Sequence, residues 1–162
     1  MNIPGELWRL AAGSGFFLAL GMGATILLPS TFTPPPSGLA TRYTPQQLHG
    51  RQIYLREGCW YCHTQQVRPT EANQGTVYTR GDIGPVSKAG DYAYQKPVFW
   101  GTERQGPDLS HVASRVQSAQ PAWELAHLED PAALVPGTIM PSYGHLPQSD
   151  LQDLVDYLLT LK

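Results

Sequence analysis

"EGCWYCHTQQVRP", Glu57 to Pro69, contains both cysteines of this 162-residue chain, and its reading decides the fold. Cys59 and Cys62 stand three apart, with His63 directly behind the second. The spacing C-x-x-C-H is the attachment signature of a c-type haem: two thiols bond to the vinyl groups and the adjacent imidazole ligates the iron. Two other chemistries use paired cysteines. Zinc would need two further ligands, and His49, His111, His127 and His145 form no recognisable pair. A redox dithiol expects a βαβ context, which is absent. Haem is the favoured reading of the three, and covalent anchoring lets it serve as the core of a small domain.

An iron that only exchanges electrons needs a sixth ligand, and His/Met ligation raises its potential. Of three methionines, Met1 and Met22 belong to the apolar N-terminal end. Met140, in "PGTIMPSYG", is the candidate. Its competing role is gap-filling in a core, with His145 or His111 as the substitute ligand.

The rest of the chain frames that motif. Charged residues make up 15 %, the net charge is −2, and no basic block tracks phosphates, so nucleic acid is excluded as an expected partner. Sixteen glycines and 15 prolines predict abundant turns. Leu10 to Leu28, "LAAGSGFFLALGMGATILL", carries no charge. At ~1.5 Å per helical residue it spans close to the ~30 Å core of a bilayer. Arg9 precedes it and no charge follows until Arg42, which favours a cytoplasmic N-terminus. A cleaved signal peptide is the competing reading, but the run is long for one and lacks an Ala-x-Ala site. Ala11, Gly15, Ala19 and Gly23 put a small residue at every fourth position, which suits close helix packing and is also common in membrane helices generally.

Pro34 to Pro36 form a stiff spacer. The expected organisation is an anchor over 1–29, a Pro-rich linker over 30–43 and a domain over 44–162. Thr44-Pro45-Gln46-Gln47 predicts a capping box, Leu48, Tyr54 and Leu55 part of an apolar face, and Gly58 the stop. Residues 64–110 read as a long loop whose aromatics (Tyr78, Tyr92, Tyr94, Phe99, Trp100) would wrap a flat apolar group. "QPAWELAHLEDP" predicts a short helix. In the last helix Ser149 and Gln152 form the expected box, with Leu151, Leu154, Val155, Leu158 and Leu161 on one face.

Three longer stretches, "GRQIYLREGCWYCHTQQVRP", "AGDYAYQKPVFWGTERQGPDLSHV" and "VPGTIMPSY", resemble the mono-haem cytochrome c subunit of cbb-type haem–copper oxidases. The resemblance runs from about Leu48 to Tyr143. It implies a mainly α, class I cytochrome c domain with a long wrapping loop, tethered by one transmembrane helix to a membrane-embedded catalytic subunit. It implies a cell (inner) membrane location, with the domain on the periplasmic side. Electrons would arrive from another cytochrome c or soluble donor, with membrane lipid around the anchor.

By the same resemblance His63 and Met140 match the axial ligands, and Pro107 the residue whose carbonyl orients the proximal histidine. Arg68 and Arg104 fall where haem propionates are met, against a reading as solvated arginines. Trp100 is a haem-packing or interface aromatic, against an ordinary core Trp. Thr102 matches a position near a calcium ion at the subunit boundary. Gln66 and Val67 replace the family's usual Met-Ile pair, and the ending after Tyr143 is short, as in the small subunit of a nitric oxide reductase. That reductase subunit, a free-standing anchored carrier and a haem-based gas sensor are the alternatives. The sensor would need the open sixth position that Met140 closes.

Overall fold

The computed structural model describes residues 5–71, 84–101 and 103–162. Its described elements are all helical, with no strand among them. The chain divides into two compact units, Met1–Pro35 and Pro36–Lys162.

The first unit is one apolar helix, Gly5–Thr31, long enough to cross a membrane and with its large side chains outward. It comprises α1 (Gly5–Met22), a wider π turn (Gly23–Leu27) and α2 (Leu28–Thr31). Pro29 explains the irregularity, because a proline inside a helix has no N–H to return to the preceding turn. Hydroxyls supply extra donors there: Thr25 bonds Gly21 O, Ser30 bonds Leu27 O, and Thr31 bonds Leu28 O, each at 2.7 Å. Such side-chain bonds help satisfy backbone groups where water is absent.

The second unit opens with α3 (Pro45–Arg56), whose capping box is complete: Gln47 N–H donates to Thr44 Oγ1, and Thr44 N–H donates to the Gln47 side chain. Its buried face differs from the expected one. Leu48 and Leu55 are 46 % and 41 % exposed, while Gly50, Arg51, Ile53 and Tyr54 are buried. The reason is the partner helix. α6 (Gln148–Leu158) lies so close that a Cβ on Gly50 would enter the Asp153 carbonyl, so glycine, not leucine, sets the contact. This is the most extensive helix pairing in the unit.

α6 itself begins two residues earlier than expected, with Pro147 at its N-cap and no side-chain cap. Ser149 therefore lies inside the helix, and Gln152 bonds Asp156 at 3.3 Å instead of closing a box. Its apolar face is the expected one, joined by fully buried Tyr157. Between these helices come α4 (Pro121–Glu129) and a short α5 (Pro131–Leu134), which Asp130 caps by accepting from Ala133 N–H at 3.2 Å. The core joins Ile53, Tyr54 and Cys59 to Phe99, Leu128, Tyr143 and the α6 leucines. Its three central rings, Tyr54, Phe99 and Tyr157, pack edge-on or tilted at 5.2 to 5.6 Å.

Candidate haem site

The motif follows α3 without a spacer. Gly58 takes φ 75°, a left-handed position that turns the chain out of the helix and into a 3-10 turn over Cys59–Tyr61. Cys62 N–H and His63 N–H both donate to Cys59 O, at 3.2 and 3.0 Å, so thiols and imidazole share one turn. Both cysteines are free; Cys59 is buried and Cys62 half-buried, with its Sγ 3.6 Å from Gln105 Oε1. Burial pushes the Cys59 thiol up to about 11, so it stays protonated at neutral pH. That weighs against a poised redox dithiol. Among the described residues no three His, Cys, Asp or Glu side chains gather to hold a metal ion, so the zinc reading finds no further ligands there.

His63 Nδ1 lies 2.7 Å from Pro107 O, across 44 positions of sequence. A carbonyl only accepts, so Nδ1 carries the hydrogen and the Nε2 lone pair is left for a metal. Burial lowers the His63 pKa and keeps the ring neutral, with the Pro107 bond opposing and the Arg115 charge assisting. The ring leans on bare backbone: a Cβ on Gly106 would overlap its carbon and nitrogen atoms. Gly106 N–H donates to Cys62 O at 2.9 Å and Leu109 N–H to Thr64 O at 2.8 Å, which holds the two segments side by side. Gly106→Ala is expected to push the ring off Pro107 and destabilise the domain by about 1–3 kcal/mol. A thermal melt and the imidazole NMR shifts of His63 check this.

Behind the ring sits a hub that pattern reading missed. Asp108 is fully buried, and its carboxylate accepts from Thr64 Oγ1, Gln66 N–H, Arg104 and Ser110 N–H. Arg104 also donates to Thr64 Oγ1 at 2.8 Å and Gln66 O at 3.1 Å, and its Nη1 meets Glu71 Oε1 at 2.8 Å. Arg68 is more exposed and meets the same Glu71 carboxylate at 3.5 Å. Glu71 thus bridges the two arginines. Buried Gln65 accepts from the Tyr157 and Tyr92 hydroxyls, tying the loop to α6. Arg115 donates to Asp108 O at 2.5 Å, and burial raises Glu124 to about 7 against the pull of Ser118 and Arg115. No periodic pattern marks any of these residues; the one local signal that could have found Asp108 is "GPDLS", where an acid two places before a serine suits a turn.

Met140 is half-buried against the cluster that contains Cys59 and Tyr143, and its N–H donates to Thr138 Oγ1 at 3.2 Å. Of the substitute ligands, His145 faces solvent 3.9 Å from Glu57, and His111 is buried against the backbone of Gly84. His127 stacks on Trp123 at 4.7 Å, and its Nδ1 is buried without a partner. Trp100 is 50 % exposed and meets Tyr92 edge-on at 6.0 Å, so it is not a core Trp. The other loop aromatics diverge: Phe99 is in the core, Tyr94 stacks under Arg42, and Tyr78 lies outside the described residues. Thr102 lies outside them too.

Two thiols, an imidazole with its second nitrogen free, and a thioether form a donor set that fits a haem. Helices alone among the described residues, one apolar leading helix and such a donor set make up the plan of a tethered cytochrome. The family described as "Cytochrome C oxidase, mono-heme subunit/FixO" matches residues 15–159, and the chain belongs to it. No curated protein matches the chain. Membership brings one haem, a membrane-anchored form and partnership with the catalytic subunit of the oxidase.

Proposed function

We propose that this chain relays single electrons from a cytochrome c or other soluble donor to the haem–copper catalytic subunit of a cbb-type oxidase, which reduces oxygen. A bound haem supplies an iron that changes by one electron between Fe(III) and Fe(II). Cys59 and Cys62 would hold it covalently as haem c, and His63 and Met140 would ligate its iron. Pro107 fixes the His63 tautomer and ring plane. Arg68 and Arg104 lie toward the propionates, sharing their charge with Glu71, while exposed Trp100 packs on the haem edge or the partner. The observation that carries this reading is the 2.7 Å bond from His63 Nδ1 to Pro107 O, on the turn that also presents both thiols.

On this reading an anchor over 1–29 lies in lipid, a linker over 30–43 follows, and the domain, 44–162, faces the periplasmic side of the cell membrane. A calcium ion at the subunit boundary, near Thr102, belongs to the same proposal. The family match favours this oxidase over a nitric oxide reductase or a free carrier.

The test is a mild-detergent pull-down of the tagged chain with reduced-minus-oxidised spectra of the eluate. A c-type band, b-type bands, a large membrane subunit and turnover with oxygen are expected. A c-type band on the lone chain would sink the complex, and turnover with nitric oxide alone would move the chain to the reductase. Met140→Leu is expected to keep the covalent haem, open the sixth position to carbon monoxide and lower the potential. The expected drop is on the order of 0.1 V out of the ~0.8 V that axial ligands command. A redox titration reads it.

A further inference from the structure

Away from the haem site, the second unit carries a groove of about 470 Å³ lined by Arg42, Tyr43, Leu48, Arg51, Ala93, Tyr94 and Lys96. Its charges are all of one sign. Among the described residues none of the three cations forms an ion pair with a carboxylate. Arg42 donates to Tyr94 OH at 2.9 Å and stacks over that ring, with its guanidinium carbon 3.9 Å from the centroid.

Arg51 is the unusual member. It is only 7 % exposed, and its guanidinium donates to the backbone carbonyls of Lys96 and Pro97 and lies 4.2 Å from the Phe99 centroid. Its Nε is buried and makes no hydrogen bond, although the Tyr43 and Tyr157 hydroxyls stand beside the guanidinium. A buried cation without a counter-ion is costly, and carbonyl dipoles and ring faces offset that only in part. An anion in the groove would supply the missing charge.

We propose that this groove binds the phosphate headgroup of an anionic phospholipid. Two guanidinium groups and an ammonium suit a phosphate, for which arginine offers two parallel donors. The groove is much larger than one phosphate group, and Leu48, Ala93 and two tyrosine rings give it an apolar side. That pairing of charge and apolar wall fits a phosphate esterified to glycerol better than a free ion. Chain length keeps the lipid surface in reach. Arg42 lies 11 positions beyond Thr31, the last residue of the membrane-crossing helix, which bounds the separation at roughly 36 Å of extended chain. Basic residues close behind a membrane helix are drawn to anionic headgroups. The site makes no use of the haem, so it stands or falls separately from the electron-transfer proposal.

The test titrates the full-length chain in neutral-detergent micelles by calorimetry with three probes: dihexanoyl-phosphatidylglycerol, dihexanoyl-phosphatidylcholine and inorganic phosphate. Saturable binding of the phosphatidylglycerol is expected, at least tenfold tighter than either other probe. The variant carrying Arg42→Gln and Lys96→Gln, both exposed positions, should weaken it at least tenfold with an unchanged melting temperature. Inorganic phosphate binding as tightly would overturn the lipid assignment in favour of a free anion. Equal binding of the phosphatidylcholine, or an unaffected double variant, would overturn the site. So would loss of the catalytic subunit from pull-downs of that variant without any lipid binding by the parent, which would give the groove to a protein partner.

Discussion

A chain carrying Cys59→Ser and Cys62→Ser will run on a denaturing gel with no haem stain, whereas the parent chain will keep its haem through denaturation. The proposed ligation by His63 and Met140 would end with the fold, whereas thioether bonds would survive it. The gel therefore reads the covalent link alone, and the effect is all or none. The choice of readout matters because Cys59 sits 8 % exposed among core residues. A serine hydroxyl there costs about 1–3 kcal/mol if it finds no partner, so an activity or stability assay would confuse lost attachment with lost packing. Met140→Leu is the control, since it removes the proposed thioether ligand and leaves both thiols. A stain that persists in the double variant would end the attachment proposal, and so would a parent chain that loses its haem on the gel.

Gly50→Ala is expected to lower the melting temperature of the domain by about 10 °C or more. Two effects compete. Alanine is the better helix former and gains roughly 1 kcal/mol in the middle of α3. Against it, the new methyl group would occupy the Asp153 carbonyl, a backbone atom that cannot rotate away. Relieving the overlap means separating α3 from α6 along the best-buried seam of the core, where Ile53, Leu154 and Val155 are all 0 % exposed. Overpacking of this kind costs about 1–3 kcal/mol, and more where backbone must move. The steric term therefore wins, and a net loss of ~2 kcal/mol moves the melt by roughly that amount in a domain of this size. An unchanged or raised melt would show that the helices can part without penalty.

Local chemistry was readable from the residues; contact between distant segments was not. The Thr44–Gln47 box involves four adjacent residues, and the α6 leucines repeat at helical spacing, so each carries its own signal. The turn holding Cys59, Cys62 and His63 is equally local. Gly50 had no such signal, because a backbone-to-backbone contact leaves no apolar residue to count, and Leu48 and Leu55 attracted the face instead. Asp108 was missed for a related reason: a buried carboxylate is defined by its donors, and those from Thr64 and Gln66 arrive from 44 and 42 positions away. The Pro107 contact with His63 came only through family resemblance, since no spacing rule links positions 44 apart.

The pairing of α3 with α6 also has a bearing on time. These are the first and last helices of the domain, and the cluster that encloses Cys59 includes Leu151, Leu154, Val155 and Leu158 of α6. A chain emerging from the ribosome, or threading outward across a membrane, shows its two thiols long before those leucines arrive. During that interval the sulfurs have no completed core to enter and stay within reach of whatever machinery would join them to haem on the proposed attachment. Arrival of α6 closes the interval. On the proposed attachment, the order in which the polypeptide emerges acts as a clock for its own maturation.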